Sequence, residues 1–219
     1  MTAETQPAGL VADHLRCERG GRLLFADLCL AVAPGGALLL TGPNGSGKTS
    51  LMRVLAGLLP ARGGRILWQG RDTAEDPGPW RRALAWLGHD NAIKPQLSVA
   101  ENLAFWCRLG APGHGVPEAL EEVGIGHLAD LPASMLSAGQ RRRLALARLA
   151  LTRGGCWLMD EPTVTLDSAS LARLAAMIAR HRAEGGIAVI ASHDALDLPG
   201  AQALDLGLLH PEPPEADAP

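Results

Sequence analysis

Hydrophobic positions follow two regimes along this chain. Near the N-terminus and again after residue 155 they come in short unbroken runs, the signature of buried strands. Between residues 98 and 152 they recur at helical spacing. Leu23 to Val32, with short interruptions, fits one or two strands near an edge. Pro34-Gly35-Gly36 marks a turn, and Ala37 to Thr41 reads as a short buried strand. Apolar residues at helical spacing (Leu51, Val54, Leu55, Leu58) then predict a helix over Ser50 to Leu59. After a turn at Arg62-Gly63-Gly64, strands are expected at Arg65 to Trp68 and Leu84 to Leu87, with a proline-containing loop over 71–80 between them. Ser98-Val99-Ala100-Glu101 matches a capping box, in which the Ser side chain caps the first helical turn and the Glu reaches back. Helical runs continue to about Thr152, with breaks at Gly110 to Gly115 and Leu131 to Ser134. Cys156 to Met159 is a strand, Ser168 to His181 a helix, and Ile187 to Ala191 a strand.

The layout is an α/β fold with a helical insertion. Residues 10–90 and 155–209 form the core, residues 91–154 the helical subdomain, and 1–9 and 210–219 loose tails. A length of 219 residues suits one domain, or one with a subdomain, and 47% hydrophobic residues can fill a sizeable core. A formal net charge of -3 speaks against holding nucleic acid by bulk charge. Cys17, Cys29, Cys107 and Cys156 show no metal-like spacing and read as reduced thiols. The opening MTAETQPAGLVADHL lacks the basic start and apolar core of a signal peptide. The most apolar stretch, Leu23 to Leu40, carries Asp27 and a Pro-Gly-Gly break, so no membrane span is expected.

Only two lysines occur, and one of them, Lys48, falls in Gly42-Pro43-Asn44-Gly45-Ser46-Gly47-Lys48-Thr49, between an expected strand and an expected helix. This is G-x-x-x-x-G-K-[ST], a phosphate-binding loop. Its glycines let backbone N–H groups converge on a polyphosphate, Lys48 reaches the β- and γ-phosphates, and the Thr49 hydroxyl suits Mg²⁺. The helix beginning there, with Ser50, adds its positive dipole end. Asp160 and Glu161 close an apolar strand; Asp160 is placed to bind a metal through water and Glu161 to act as general base on an attacking water. Ser137-Ala138-Gly139-Gln140 opens a helix, which makes it either an anion site or an ordinary cap with Ser137 as N-cap. His193 follows a strand end, where it can donate to a γ-phosphate or serve structure alone.

The phosphate loop, the Leu136-Ser137-Ala138-Gly139-Gln140 signature, Asp160-Glu161-Pro162, Leu166-Asp167 and Ser192-His193 stand in the order and spacing of ATP-binding cassette (ABC) ATPases. The resemblance covers about residues 10–205. It implies a P-loop NTPase fold of ABC type, with a RecA-like mixed sheet, an antiparallel β edge and a helical subdomain. It implies ATP and Mg²⁺ as ligands and ATP hydrolysis coupled to transport. In that family two nucleotide-binding domains pair head to tail. Ser137, Gly139 and Gln140 would then face the ATP held by the partner's phosphate loop, Asp167 would lie in the loop crossing the interface, and His193 would sense the γ-phosphate.

A finer resemblance, to the ATPase subunits of cytochrome c maturation (haem export) systems, rests on Cys17-Glu18-Arg19, Trp68-Gln69-Gly70, Leu87-Gly88-His89 with Ile93-Lys94, and alanine at position 138 of the signature. It implies membrane subunits of the CcmB, CcmC and CcmD type, docked near residues 88–110, and a peripheral place on the cytoplasmic face of a bacterial inner membrane. An ATPase serving another transporter is the alternative; a soluble ABC ATPase acting on nucleic acid and a small-molecule kinase fit less well.

Two departures stand out. Asp90 occupies the place of a Gln that contacts Mg²⁺ and water in the family. The chain has no Tyr, and Glu18-Arg19-Gly20 stands where an adenine-stacking aromatic is usual, so Arg19 is the candidate to stack on the base. Bland readings cover the rest. Arg141-Arg142-Arg143, Arg148 and Arg153 read as a solvated or interface face, the five tryptophans as packing, and His89 as a hydrogen-bonding group.

Overall fold

The computed structural model describes residues 8–108, 115–152, 155–192 and 198–209. His193, Arg153 and the tails at 1–7 and 210–219 lie outside them. Two sheets organise the chain. An antiparallel sheet has the order β2(Arg22–Val32)-β1(Leu10–Arg19)-β4(Gly63–Trp68)-β5(Arg71–Asp72). A five-stranded sheet has the order β6(Leu84–Leu87)-β7(Cys156–Asp160)-β8(Ile187–Ala191)-β3(Ala37–Thr41)-β9(Gln202–Asp205), and every neighbouring pair in it is parallel.

Parallel strands need long crossovers, and helices supply them here. Helix α1(Lys48–Leu55) follows β3, α2(Pro77–Ala83) precedes β6, and α3(Val99–Arg108), α4(Val116–Glu122) and α5(Ala138–Ala150) lie between β6 and β7. Helix α6(Ser168–Ala183) joins β7 to β8. Because both faces of the parallel sheet are covered, β7 and β8 are buried at every position, which is why they read as unbroken apolar runs. Alternate side chains feed two cores. Trp157, Met159, Ala188 and Ile190 join Leu103, Leu120, Leu144 and Leu174 from the helices on one face. Cys156, Leu158, Val189 and Ala191 join Leu51, Leu55 of α1 and Leu10, Phe25 of the antiparallel sheet on the other.

The expected strands are present, and strands β1, β5 and β9 and helix α2 add to them. Strand β1 escaped the sequence reading because its alternation breaks. Leu10 and Ala12 are buried, then Leu15 and Cys17, with a register shift between Ala12 and Leu15 where His14 takes φ 52°. Residues 71–80 are not wholly loop. Pro77 opens helix α2, because a proline's locked φ suits a first turn where its missing N–H is not needed. Trp80 of that helix is buried, tilted against Trp68, and donates from Nε1 to the Leu55 carbonyl. Strand β9, a mostly exposed edge, has no apolar run to announce it. Helix α1 begins at Lys48 and ends at Leu55, so Leu58 and Leu59 lie beyond it.

The Ser98–Glu101 capping box forms as expected, with reciprocal bonds of 2.8 and 3.1 Å. Buried Asn102 adds what the pattern did not show. Its amide accepts from the Lys94 N–H and donates to the Lys94 and Ser98 carbonyls, closing the 94–98 loop onto α3. The tryptophans pack as expected. Trp157 stacks on His181 at 3.9 Å between centroids, and Arg148 lies over Trp106.

His181 is buried on α6, with Nε2 3.2 Å from the Ile187 carbonyl, and burial holds its pKa below the ordinary 6.5. The unfolded chain therefore takes up a proton as pH falls through about 6.5 while the folded ring stays neutral. Stability should be full above that pH and fall below it, by at most about 1.4 kcal/mol per pH unit from this residue. Urea midpoints at pH 7.5 and 5.5 should show a smaller drop in His181→Phe than in the unaltered chain. Equal drops would remove His181 as the cause.

Candidate functional site

The parallel arrangement brings the ends of β3 and β7 to one edge of the sheet, where α/β proteins place their ligand crevices. An open cavity of about 560 Å³ lies there. It is lined by Asn44, Gly45, Gly47, Lys48, Thr49 and Ser50 of the glycine-rich loop, by Asp160 and Glu161, by His89 after β6, and by Arg19, Leu24 and Arg53.

The loop's shape requires glycine at two points. Gly42 has φ 123°, and a Cβ there would meet the Gly207 nitrogen and Ser46 Oγ at 2.9 Å. Gly47 has φ 96° and stands as N-cap of α1 without a side chain between the helix end and the cavity. The N-terminal N–H groups of α1 are thereby left for an anion. Lys48 Nζ donates to the Gly42 and Pro43 carbonyls at 2.7 and 3.1 Å, so the ammonium is held inside the loop. Thr49 Oγ1 donates to Asp160 Oδ2 at 2.9 Å, so the hydroxyl and the carboxylate expected to share Mg²⁺ already stand together. Ser46 Oγ is buried without a hydrogen-bond partner among the described residues, an acceptor or donor held in reserve at the loop's centre. A polyphosphate with a hard, oxygen-ligated cation fits this donor set.

Glu161 is a surprise of backbone rather than of identity. It takes φ 49°, in the left-handed region that a non-glycine side chain seldom occupies. Its N–H donates to the Ala191 carbonyl at 2.8 Å. The kink swings its carboxylate out of the strand's alternation, and both Asp160 and Glu161 line the cavity as a result.

The signature residues lie elsewhere. Ser137 is the N-cap of α5, accepting from the Gln140 N–H at 3.2 Å, and Gln140 Oε1 accepts from the Ser137 N–H at 2.8 Å, a complete capping box. Neither these two residues nor Gly139 lines the cavity. Gly139 is where the Thr165 carbonyl approaches; a Cβ would meet it at 3.0 Å. Asp167 caps α6 by accepting from the Ser170 N–H at 2.8 Å, and the Ser170 side chain first, with that backbone bond second, holds its carboxyl below the usual range. Ser137, Gln140 and Asp167 are thus well-formed helix caps within one chain.

Asp90 is exposed and is not among the cavity-lining residues; its neighbour His89 is. Within the Arg141–Arg143 cluster, expected as a solvated and interface face, Arg142 departs while its two neighbours stay partly exposed. Arg142 is 4% exposed, and burial pushes its guanidinium's pKa down. A run of basic residues looks the same in sequence whether its side chains meet water or a set of buried carbonyls.

Fold and site together define an ATP-hydrolysing P-loop domain. The family model for ABC transporters matches residues 25–164, and the chain belongs to that family. Among curated proteins it is 50% identical over 200 residues to the cytochrome c biogenesis ATP-binding export protein CcmA of Paramagnetospirillum magneticum, covering 89% of this chain and 92% of that one. It is 48% identical to the protein of the same name from Rhodospirillum rubrum, covering 96% and 91%. Among solved structures, a putative ABC transporter ATP-binding protein from Pyrococcus furiosus superposes with a TM-score of 0.80 at 22% identity, covering 92% of this chain and 99% of that one. No helix among the described residues is long and apolar enough to cross a membrane.

The cavity wall carries Arg19 and Leu24, and among the described residues no Phe, Tyr or Trp lines it. A guanidinium stacks on any purine, so turnover should favour ATP over GTP by less than about threefold in KM, and Arg19→Ala should weaken both nucleotides alike. Steady-state kinetics with each nucleotide decide this. A preference of tens of times for ATP would show that another group reads the base.

Proposed function

We propose that this chain is the ATPase subunit of a membrane complex for c-type cytochrome biogenesis, energising haem export or the release of a haem-loaded chaperone. The observation that carries the reading is identity near 50% across nearly the whole chain to export proteins named for that process. The short segments at Cys17-Glu18-Arg19, Trp68-Gln69-Gly70 and Leu87-Gly88-His89 support it, and so does a complete phosphate loop beside two acids.

In this reading, two copies close head to tail around ATP. Lys48 and the loop N–H groups neutralise and orient the β- and γ-phosphates, which is most of what phosphoryl transfer asks of a protein. Thr49 and Asp160 would hold Mg²⁺, which would supply charge neutralisation for the phosphates. Glu161 accepts a proton from the attacking water and orients it. Ser137, Gly139 and Gln140 of one copy meet the γ-phosphate held by the other, with Asp167 beside the interface and His193 next to the γ-phosphate. Asp90, exposed beside His89, is the weakest member of the metal set, and His89 is better placed to bond to water or phosphate. Integral subunits of the CcmB, CcmC and CcmD type dock near residues 88–110, which keeps the chain peripheral on the cytoplasmic face of the inner membrane.

Replacing Lys48 with Ala at the native locus should abolish covalent haem in c-type cytochromes while the apoproteins are still made and exported. Normal c-type cytochromes would leave an ABC ATPase serving another membrane complex. In vitro, Glu161→Gln should bind ATP, lose at least about a hundredfold in turnover, and run as a dimer on size exclusion with ATP. A persistent monomer would remove the head-to-tail step.

A further inference from the structure

We propose that Arg142 is the positioning residue of the hydrolytic site: one buried guanidinium holds both the acid-bearing end of β7 and the segment after β6 in the geometry that lines the cavity. The proposal rests on the reading of Glu161 as the general base.

Arg142 lies on α5, two residues past the signature, yet its side chain runs inward under the parallel sheet's edge. Nη2 donates to the Asp160 carbonyl at 3.0 Å and to the Glu161 carbonyl at 2.6 Å. Nε makes a longer bond, 3.4 Å, to the Pro162 carbonyl. Nη1 donates to the Gly88 carbonyl at 3.1 Å and to Asn91 Oδ1 at 3.0 Å. The first group brackets the two acids, and the second brackets His89 and Asp90. All of these residues but Asn91 line the cavity or stand next in sequence to one that does.

The side-chain type is what this task needs. Arg carries five N–H donors in one rigid plane and accepts nothing, so it can satisfy several carbonyls that converge from two strand ends. A lysine offers a point charge on a flexible stem and cannot span both groups. The backbone at Glu161 shows why such a clasp is required. A non-glycine residue in the left-handed region persists only where its surroundings over-determine it. Glu161 is held on both sides: its N–H by the Ala191 carbonyl and its carbonyl by Arg142. Release of the second hold lets the kink relax and turns the carboxylate away from the cavity. Among the described residues the phosphate loop makes no hydrogen bond to Arg142, so nucleotide binding and acid placement are separable.

Arg148 provides the comparison. It stands six residues on in the same helix, is half-buried, and donates to the Trp86 carbonyl of β6 while lying over Trp106. It anchors the helix to the same region without touching the acids.

The experiment uses the full chain and four variants: Arg142→Gln, Arg142→Lys, Arg148→Gln and Glu161→Gln. Each is measured for ATP turnover, for equilibrium binding of a fluorescent ATP analogue, and for melting temperature. Arg142→Gln should lose about ten- to a hundredfold in kcat, with KM and analogue affinity within about threefold of the unaltered chain. Arg142→Lys should recover only a minor part of the lost kcat and provides the same comparison if Arg142→Gln does not fold. Arg148→Gln should lower the melting temperature while kcat stays within about threefold. Turnover by both Arg142 variants within about twofold of the unaltered chain would overturn the proposal. A parallel loss of kcat and analogue affinity, matched by Arg148→Gln, would also overturn it and make Arg142 a packing residue. Retained turnover in Glu161→Gln would instead refute the general-base reading on which the proposal rests.

Discussion

A single hydrogen bond, from Thr49 Oγ1 to Asp160 Oδ2, joins residues 111 positions apart, and the architecture can be understood as what makes that contact. Thr49 stands just after β3 and Asp160 ends β7. The two strands are not neighbours; β8 lies between them. Because all three run parallel, both C-terminal ends come to the same edge. Parallel strands cannot be joined by tight turns, so the helices α3 to α6 follow as crossovers, and covering both faces follows from them.

That arrangement concentrates polar groups where burial is nearly complete. Lys48, Ser46, Ser50, Asp160 and Arg142 are all buried, within or against the sheet edge. The charged members are answered by uncharged groups, Asp160 by the Thr49 hydroxyl and the two cations mainly by backbone carbonyls. Lys48 is held by carbonyls of its own loop, and Arg142 by carbonyls from two strand ends. Backbone dipoles cost no side-chain entropy to orient, so they stabilise cations without filling the space a phosphate needs. Ser46, with its hydroxyl unpartnered among the described residues, shows the loop keeping polar capacity uncommitted.

The antiparallel sheet does quieter work. It closes the second core against α1 and carries Arg19 and Leu24 to the cavity rim. Its bulges at His14 and Asp27, both in the left-handed region, shift the buried face by one residue partway along each strand. That same shift hid β1 from a reading based on strict alternation.

What the chain's order of residues determined by itself is the chemistry of the centre and the buried strands around it. The glycine spacing from Gly42 to Gly47, Lys48 in its slot, and the acids ending an apolar run are local patterns, and local patterns are visible one residue after another. Continuous apolar runs at β7 and β8 are equally local, since strands covered on both faces need no alternation. Only the tertiary structure decided which histidine or aspartate faces the cavity after β6, that Glu161 is kinked into it, and that Arg142 is buried while sitting between two other arginines. Those outcomes depend on carbonyls supplied by strands far away in the chain. A guanidinium reads the same in sequence whether water or those carbonyls will satisfy it.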